Sequence, residues 1–454
     1  MSQNEVQEEM KVIKASPTKD FFIQMLVKDI KLIPAIIDLV DNCIDGARRL
    51  RGGDNYSDIT IRIEATDAYF KISDTCGGMS VEIAKNYAFR FGRPEEMPTT
   101  PHSMGQFGVG MKRALFKLGK KFTIKSTTAE SSFEVVVDVD EWKRKEEGAE
   151  WTFEFSELNL SLPQTPPKEN QGTIITVTVL HESVANEFKL DNFLARLKTK
   201  IEEKHQDALS KGLEITLNGI PLDVSITELF LSDIFRPIHK VFTIEDPQPP
   251  INVKVYTGIY KSLPADAAGW YVYCNGRSIL EADQTKATGW GEVEGIRIPM
   301  FHPEYNMFRG YVFFDCDDAA RLPWNTTKTG FDEDSLLYRY VREEMITAMR
   351  PVIDFLNRYH SEKSREIDTP VTKMIETALD DRGQSIELSN IEPADTFLAP
   401  TKEVPKKPIE RKSRILYSIP TDKVEKVKKV LGVKTFREVG ERTFDYFYEI
   451  ECED

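Results

Sequence analysis

Hydrophobic and polar residues follow two different periods along the first third of the chain. Residues 20–50 carry a helical pattern, and stretches with period-two alternation, typical of half-buried strands, come after it. A glycine-rich segment, Gly92–Gly119, separates the second predicted strand from the third. Helices and strands without regular β-α alternation predict an α+β sandwich. The predicted strands are Ile59–Glu64, Tyr69–Asp74, Lys121–Thr127, Phe133–Val139, Trp151–Phe155 and Thr173–Leu180.

A second series of elements follows and predicts another α+β domain. It starts with a helical stretch, Asn186–Lys211, and a hairpin that turns at Asn218-Gly219. It ends with a long helix over Glu333–Tyr359, and residues 361–410, rich in Pro, Ser, Thr and charge, predict a linker. The strands between are Ile251–Tyr256, Trp270–Cys274, Gly291–Pro299 and Arg309–Asp315. The predicted domains are 1–185, 186–362 and 411–454, with a linker over 363–410.

The last segment, 411–454, predicts a small strand-helix-helix module. Ile415, Tyr417 and Ile419 alternate on one strand face; Gly432 is expected to end the first helix, and Thr435-x-x-Glu438 is a capping box for the second. One strand and two helices in about forty residues cannot bury a core alone. We therefore expect two copies to pair, with a helical hairpin docked on the body as the alternative.

Charge and composition narrow the class of protein. The net charge of −14 over 454 residues excludes a uniformly basic nucleic-acid binder, but residues 405–442 hold twelve Lys/Arg against five Asp/Glu, a local balance of +7. The five cysteines are scattered without a Cys-x-x-Cys, which indicates reduced thiols and no zinc site. Without a signal peptide or a membrane-length apolar run, the chain is expected to be cytoplasmic and not to bind a membrane.

A polar stripe lies on an otherwise apolar helix over residues 32–47. Asp38, Asp41, Asn42 and Asp45 fall at positions i, i+3, i+4 and i+7, so they share one face. Carboxylates on a buried helix are costly unless something pairs with them, and a hydrated Mg²⁺ with a nucleotide would do so. A stripe that simply faces solvent is the alternative.

Three further pieces favour a nucleotide site. Asp74 ends a strand and is followed by Gly77-Gly78-Met79, which lets a flat ligand approach the backbone while the carboxylate accepts a hydrogen bond from an adenine amino group. The segment Gly105–Lys112 has the form Gly-x-x-Gly-x-Gly, and its glycines leave backbone N–H groups free to point at phosphates. It is neither a Walker loop nor the start of a Rossmann unit. Gly172-Thr173 opens a further strand.

In this order, the four pieces resemble the sequence boxes of the GHKL ATPases, the family that includes the ATPase component of DNA gyrase, MutL, MORC proteins and heat-shock chaperones. The resemblance implies a Bergerat-fold ATPase that uses ATP and Mg²⁺. Asn42 would hold the metal, Asp38 would orient or deprotonate the attacking water, and Asp74, supported by Thr173, would read adenine. The other ATP-binding residues that it implies are Asp45, Gly78, Met79, Gly105, Gln106, Phe107, Gly108, Val109, Gly110, Met111 and Lys112. Asp38 replaces the usual Glu, so turnover is expected to be slow, and Cys76 replaces the first Gly of the second box.

The second domain resembles the transducer domain of MutL-like and MORC-like proteins. Trp270–Arg277 is similar to their strand followed by an Asn-Gly-Arg hairpin, and Leu322–Gly330 is similar to their lysine loop. The resemblance implies that Lys328 reaches the γ-phosphate, although a loop lysine that faces solvent is the alternative. It also implies a homodimer that closes as an ATP-gated clamp on DNA.

The last segment resembles the ribbon-helix-helix fold, in which paired strands enter the DNA major groove. Arg414 and Ser418 would then face DNA. Any cleavage of DNA is expected from a separate nuclease or helicase partner, and small prokaryotic MORC-like ATPases resemble parts of defence or DNA-processing systems. A heat-shock-type chaperone and an ATP-switched binding module with little turnover are the rival functions.

Overall fold

The computed structural model describes residues 17–92, 100–105, 108–145, 151–224, 227–246, 248–260, 264–363, 376, 384–400, 415 and 418–452. The chain forms two compact units, residues 1–401 and 402–454. Among the described residues, no helix is both long enough and apolar enough to cross a membrane.

The first unit contains an eight-stranded sheet whose order is β5-β4-β3-β6-β2-β1-β7-β8. Neighbouring strands are antiparallel except for β1 and β7, which are parallel. Alternate residues such as Ile61, Ile63 and Ile124 are buried, in one core with Ile36 and Ile44 of a helix. The strands are β1 Thr60–Ala65, β2 Phe70–Asp74, β3 Lys121–Thr127, β4 Ser132–Asp138, β5 Phe155–Asn159, β6 Gly172–Val177, β7 Glu214–Leu217 and β8 Ile220–Pro221.

Ten α-helices of at least five residues lie within the described ranges. They are α1 Lys19–Lys28, α2 Leu32–Arg51, α3 Gly110–Leu118, α4 Val139–Arg144, α5 Glu182–Phe188, α6 Asp191–Lys204, α7 Gln206–Ser210, α8 Leu336–Lys363, α9 Thr421–Leu431 and α10 Phe436–Glu451. Helix α2 ends at Gly52, whose φ of +76° is the left-handed conformation common after a helix.

The mixed α+β character predicted for the first domain is confirmed, but the extent of the sheet and the start of one strand differ from the prediction. The hairpin at Asn218-Gly219 forms as expected, but its strand β7 pairs with β1, so the first sheet continues past the predicted boundary at residue 185. Strand β5 begins only at Phe155, although a strand was predicted over Trp151–Phe155. The rings of Trp151 and Phe153 instead pack against Phe91, so their alternation reflects an aromatic cluster rather than a ladder.

A second sheet of five strands has the order β10-β11-β14-β12-β13, and α8 packs against β11 and β14. The predicted strand over Gly291–Pro299 is wrong: Gly291 and Gly295 have φ of +71° and +61°, and this segment forms turns. Strand β13, which the pattern did not predict, follows the Asn275-Gly276 turn instead. The remaining strands are β9 Glu228–Leu231, β10 Ile238–Ile244, β11 Ile251–Ile259, β12 Gly269–Cys274, β13 Arg277–Asp283, β14 Phe308–Cys316 and β15 Gln384–Glu387.

The predicted linker over 363–410 is only partly a linker, since residues 384–400 pack against other segments of the first unit. Strand β15 pairs with β9, and Leu398 and Ala394 form bridges with Arg236 and His239. Leu388 and Ile391 are buried, which explains why this polar stretch stays ordered.

The second unit is a pair of helices whose ends were predicted. Gly432 closes α9 with φ of +65°, and Thr435 and Glu438 form the capping box that opens α10. Val439 is buried, whereas Phe436, Phe447 and Ile450 of the same helix are 51%, 60% and 55% exposed. Ser418 lies in a segment without strand structure, and Arg414 lies outside the described residues.

Candidate nucleotide site

The four predicted boxes of the first domain line one cavity of about 1760 Å³. The helix α2, the end of β2, the start of β6 and the glycine-rich loop before α3 form its walls, and the loop after β14 adds Lys328. The predicted residues that line it are Asp38, Asn42, Asp45, Asp74, Gly78, Met79, Gly105, Gly108, Val109, Gly110, Met111, Lys112, Thr173 and Lys328. Gln106 and Phe107 lie outside the described residues.

The polar stripe of α2 is paired mainly by the protein's own groups. Asp38 Oδ2 accepts a hydrogen bond from Arg113 at 2.7 Å. Asp45 accepts the backbone N–H groups of Met104 at 2.8 Å and Gly105 at 2.9 Å, so it anchors the start of the glycine-rich loop. These buried carboxylates therefore have partners within the chain, so their burial does not by itself require a ligand. Asn42 is the exposed member of the stripe and faces the cavity.

Asp41, which is 1% exposed, is the centre of a buried charged cluster. Its Oδ1 accepts the Nε2–H of His205 at 2.9 Å, and its Oδ2 accepts hydrogen bonds from Lys328 at 2.8 Å and from Arg277. Burial lowers the pKa of His205 to about 3 and the pKa of Lys328 to about 8. One carboxylate thus joins α2 to three segments of the predicted second domain, residues 186–362.

The Asn-Gly-Arg hairpin forms as predicted and fits against the first domain. Asn275 and Gly276 have φ of +47° and +73°, the paired left-handed conformation of a tight hairpin turn between β12 and β13. The Asn275 amide donates to Ser103 O at 3.0 Å, and Arg48 donates to Asn275 O at 2.5 Å. The φ of Gly276 favours glycine, and a Cβ there would force the Asp207 side chain, 2.4 Å away, to move.

A further wall of the cavity contains Asp74 and Thr173, the residues predicted to read adenine. Asp74 Oδ1 accepts the backbone N–H groups of Cys76 at 2.8 Å and Thr173 at 3.3 Å, which fixes the carboxylate. Burial raises the pKa of Asp74. Gly78 and Gly172 permit the close approach of strands here, since their Cβ atoms would lie 2.2 Å from Thr127 O and 1.8 Å from Asp74 O.

Sequence reasoning missed Ser126, a buried residue that contacts this wall. Its hydroxyl oxygen accepts the Met79 N–H at 2.7 Å and lies 3.0 Å from Thr173 Oγ1. It therefore connects the loop after Asp74 to the Gly172-Thr173 strand. The inward face of an alternating strand was the only signal, and a buried serine on such a face is common.

The glycine-rich loop leads directly into α3. Gly108 has φ of +64°, and Val109 at the N-cap provides no side-chain hydrogen bond, so the backbone N–H groups of the first turn are left to other partners. Lys112 was predicted to wrap phosphates, but its ammonium donates to the carbonyls of Ala88, at 2.8 Å, and Gly108. Burial lowers the pKa of Lys112 to about 8. Its phosphate contact stays a prediction.

The donor set is compatible with Mg²⁺ bound together with a nucleotide. Among the described residues, no group of three or more His, Cys, Asp or Glu side chains could hold a metal by itself. Magnesium in nucleotide sites is usually held by one or two protein oxygens and the substrate phosphates. Asn42, an amide on the open side of α2, offers one such oxygen.

Residues 30–173 match the family model described as histidine kinase-, DNA gyrase B-, and HSP90-like ATPase. The match contains α2, Asp74, the glycine-rich loop and Gly172-Thr173, so it covers the cavity walls that belong to the first domain. A comparison with curated proteins finds no significant match.

Proposed function

We propose, from the GHKL-type ATPase domain that residues 30–173 form, that this chain is a magnesium-dependent ATPase and works as an ATP-gated dimeric clamp of the MutL and MORC kind on DNA. The observation that carries the proposal is Lys328, which lies at the wall of the nucleotide cavity although it belongs to the second domain. A lysine in this place links the occupancy of the site to the position of that domain.

The chemistry assigned to the site is the hydrolysis of the terminal phosphate. Water attacks the γ-phosphorus and gives a proton to Asp38, while the bond to the β-γ bridging oxygen breaks and ADP leaves. Mg²⁺ held by Asn42 would neutralise phosphate charge. Lys328 contacts the terminal phosphate, and this contact is lost on hydrolysis, which lets the second domain distinguish ATP from ADP.

Steady-state turnover of Asp38→Ala tests the catalytic assignment. We expect the variant to bind ATP and to hydrolyse it more slowly by roughly two orders of magnitude, the usual contribution of a general base. Turnover equal to that of the wild type would show that Asp38 is not the base.

Closure is tested by the mass and radius of the full chain in solution. We expect a larger mass or a more compact particle with Mg²⁺ and a non-hydrolysable ATP analogue than with ADP, because the glycine-rich loop and Lys328 would contact the γ-phosphate, which ADP lacks. Lys328→Met should remove that difference. Identical scattering with the analogue and with ADP in the wild type would contradict the clamp.

The second unit supports pairing of two copies and contact with DNA. A helix pair that leaves Phe436, Phe447 and Ile450 exposed has an apolar face for a second copy to cover. The positive balance over 405–442 and the predicted positions of Arg414 and Ser418 make DNA the proposed target, with a nuclease or helicase as a further partner. DNA affinity of the full chain should fall steeply with salt and rise with the ATP analogue. No affinity at low salt would remove DNA from the proposal.

A second candidate function is an ATP-switched binding module with little turnover. The ion pair between Asp38 and Arg113 favours it, since Asp38 Oδ2 is already occupied by the guanidinium at 2.7 Å and is not free to contact an attacking water. A wild type that closes with ATP but shows no phosphate release would support this candidate over the ATPase.

A further inference from the structure

The residue Arg113 has no role in the proposed site so far, yet it lies in that site. It belongs to the first turns of α3, directly after the glycine-rich loop, and its side chain is 21% exposed. Asp38 and Arg113 both line the nucleotide cavity. A Cβ on Gly110 would be 3.5 Å from Asp38 Oδ2, so the Asp38–Arg113 pair lies against the start of the helix.

The contact between Arg113 and Asp38 uses only part of the guanidinium. One terminal nitrogen lies 2.7 Å from Asp38 Oδ2, and the buried Nε has no hydrogen-bond partner among the described residues. A guanidinium has five N–H donors in a planar fork, which matches two oxygens of a phosphate better than one oxygen of a carboxylate. An unsatisfied buried donor is costly, so this side chain has a reason to change partners.

We propose that Arg113 is a γ-phosphate-binding residue that holds Asp38 until a triphosphate arrives. The terminal phosphate then attracts the guanidinium, because a bidentate, charge-assisted pair with a multiply charged group is stronger than the single contact with Asp38. Asp38 Oδ2 becomes able to accept the proton of the attacking water. The base is thus restrained in the empty enzyme and released by its own substrate.

This inference rests on the proposed ATP site, and Arg113→Met tests it through binding rather than turnover. We expect the affinity for a non-hydrolysable ATP analogue, with Mg²⁺, to fall roughly 10- to 100-fold, as for the loss of a hydrogen bond to a charged group. ADP affinity should change less than about threefold, since ADP has no γ-phosphate. Arg113→Lys should retain part of the affinity for the analogue, since the charge remains and the fork is lost.

Lys117→Met is the matched control, because Lys117 is a cation on the same helix whose ammonium donates to Val27 O outside the cavity. It should leave the affinities for both nucleotides unchanged. If Arg113→Met weakens the binding of the analogue and of ADP equally, or changes neither affinity, Arg113 is structural and the inference is overturned. A wild type that binds neither nucleotide would instead overturn the proposed function.

Discussion

Replacing Asp41 by Asn should destabilise the first unit strongly. The substitution keeps the size of the side chain but removes the negative charge that contacts both Arg277 and Lys328. Both cations are then left buried without that counter-charge, and burial already lowers their pKa values, to about 10 and about 8. Removing one partner of a buried ion pair costs about 3–5 kcal/mol, because the remaining charge is neither solvated nor paired.

The cost of about 3–5 kcal/mol needs no reduction for solvent screening, because the charged groups of this cluster are buried. The side chains of Asp41, Arg277 and Lys328 are 1%, 2% and 10% exposed. At about 2.1 cal/mol/K of unfolding entropy per residue, a unit of 401 residues loses roughly 1.2 °C of Tm per kcal/mol, so the expected fall in Tm is roughly 4–6 °C. Removing one cation as well should relieve the repulsion, so Asp41→Asn with Lys328→Met should melt above Asp41→Asn alone.

Thermal and urea unfolding of the full chain measure this effect, with Asp140→Asn as the control. Asp140 forms an ion pair with Lys120 at 3.2 Å, but these side chains are 46% and 51% exposed, so the same substitution there should cost less than about 1 kcal/mol. The reasoning fails if Asp41→Asn is no more destabilising than Asp140→Asn. It also fails if the double variant is less stable than Asp41→Asn.

Three further outcomes are expected. Asp74→Asn should weaken ATP binding roughly 10- to 100-fold in a calorimetric titration. The oxygen of the new amide will accept the two backbone N–H groups, so its NH₂ group will face the adenine amino group, and two donors will oppose each other. Unchanged affinity would show that another residue reads the base. Gly172→Ala should lower stability by about 1–3 kcal/mol in urea unfolding, since its Cβ would lie 1.8 Å from Asp74 O, and a neutral effect would show that the strands can separate there. Between pH 7 and pH 9 the preference for an ATP analogue over ADP should fall, because Lys328, whose pKa is lowered to about 8, loses its positive charge as the pH rises. If this preference depends on pH as little in the wild type as in Lys328→Met, the phosphate contact is contradicted.

The nucleotide-binding half of the molecule could be predicted because its signals are local. The alternation of β1 to β4 and the spacing of the glycines depend on neighbouring residues, and the order of the boxes was recognised by its resemblance to the GHKL ATPases. The Asn275-Gly276 turn and the capping box of Thr435 were predictable for the same reason. Such patterns predict the helices and strands and the candidate residues of one site. They do not predict which atom each side chain contacts.

The partners of the charged stripe could not be predicted, because they come from distant parts of the chain. Asp41 contacts His205, Arg277 and Lys328, which are separated from it by 164 to 287 positions. Arg277 was recognised as part of a turn motif, but no sequence spacing connects it with α2. The packing of residues 384–400 was missed for a related reason, since β15 gains its stability from pairing with β9 rather than from its own pattern.

Binding of Mg²⁺ with a non-hydrolysable ATP analogue to the wild type and to Asn42→Ala tests the central claim most directly. Asn42 is the exposed amide of α2 that faces the cavity, and its removal should leave the fold intact because its side chain lies outside the core. We predict saturable, Mg²⁺-dependent binding by the wild type in calorimetry and its loss in the variant, with Asp140→Asn binding as the wild type does. Near-wild-type, Mg²⁺-dependent affinity in Asn42→Ala, in a variant whose thermal unfolding is unchanged, would contradict the assigned site.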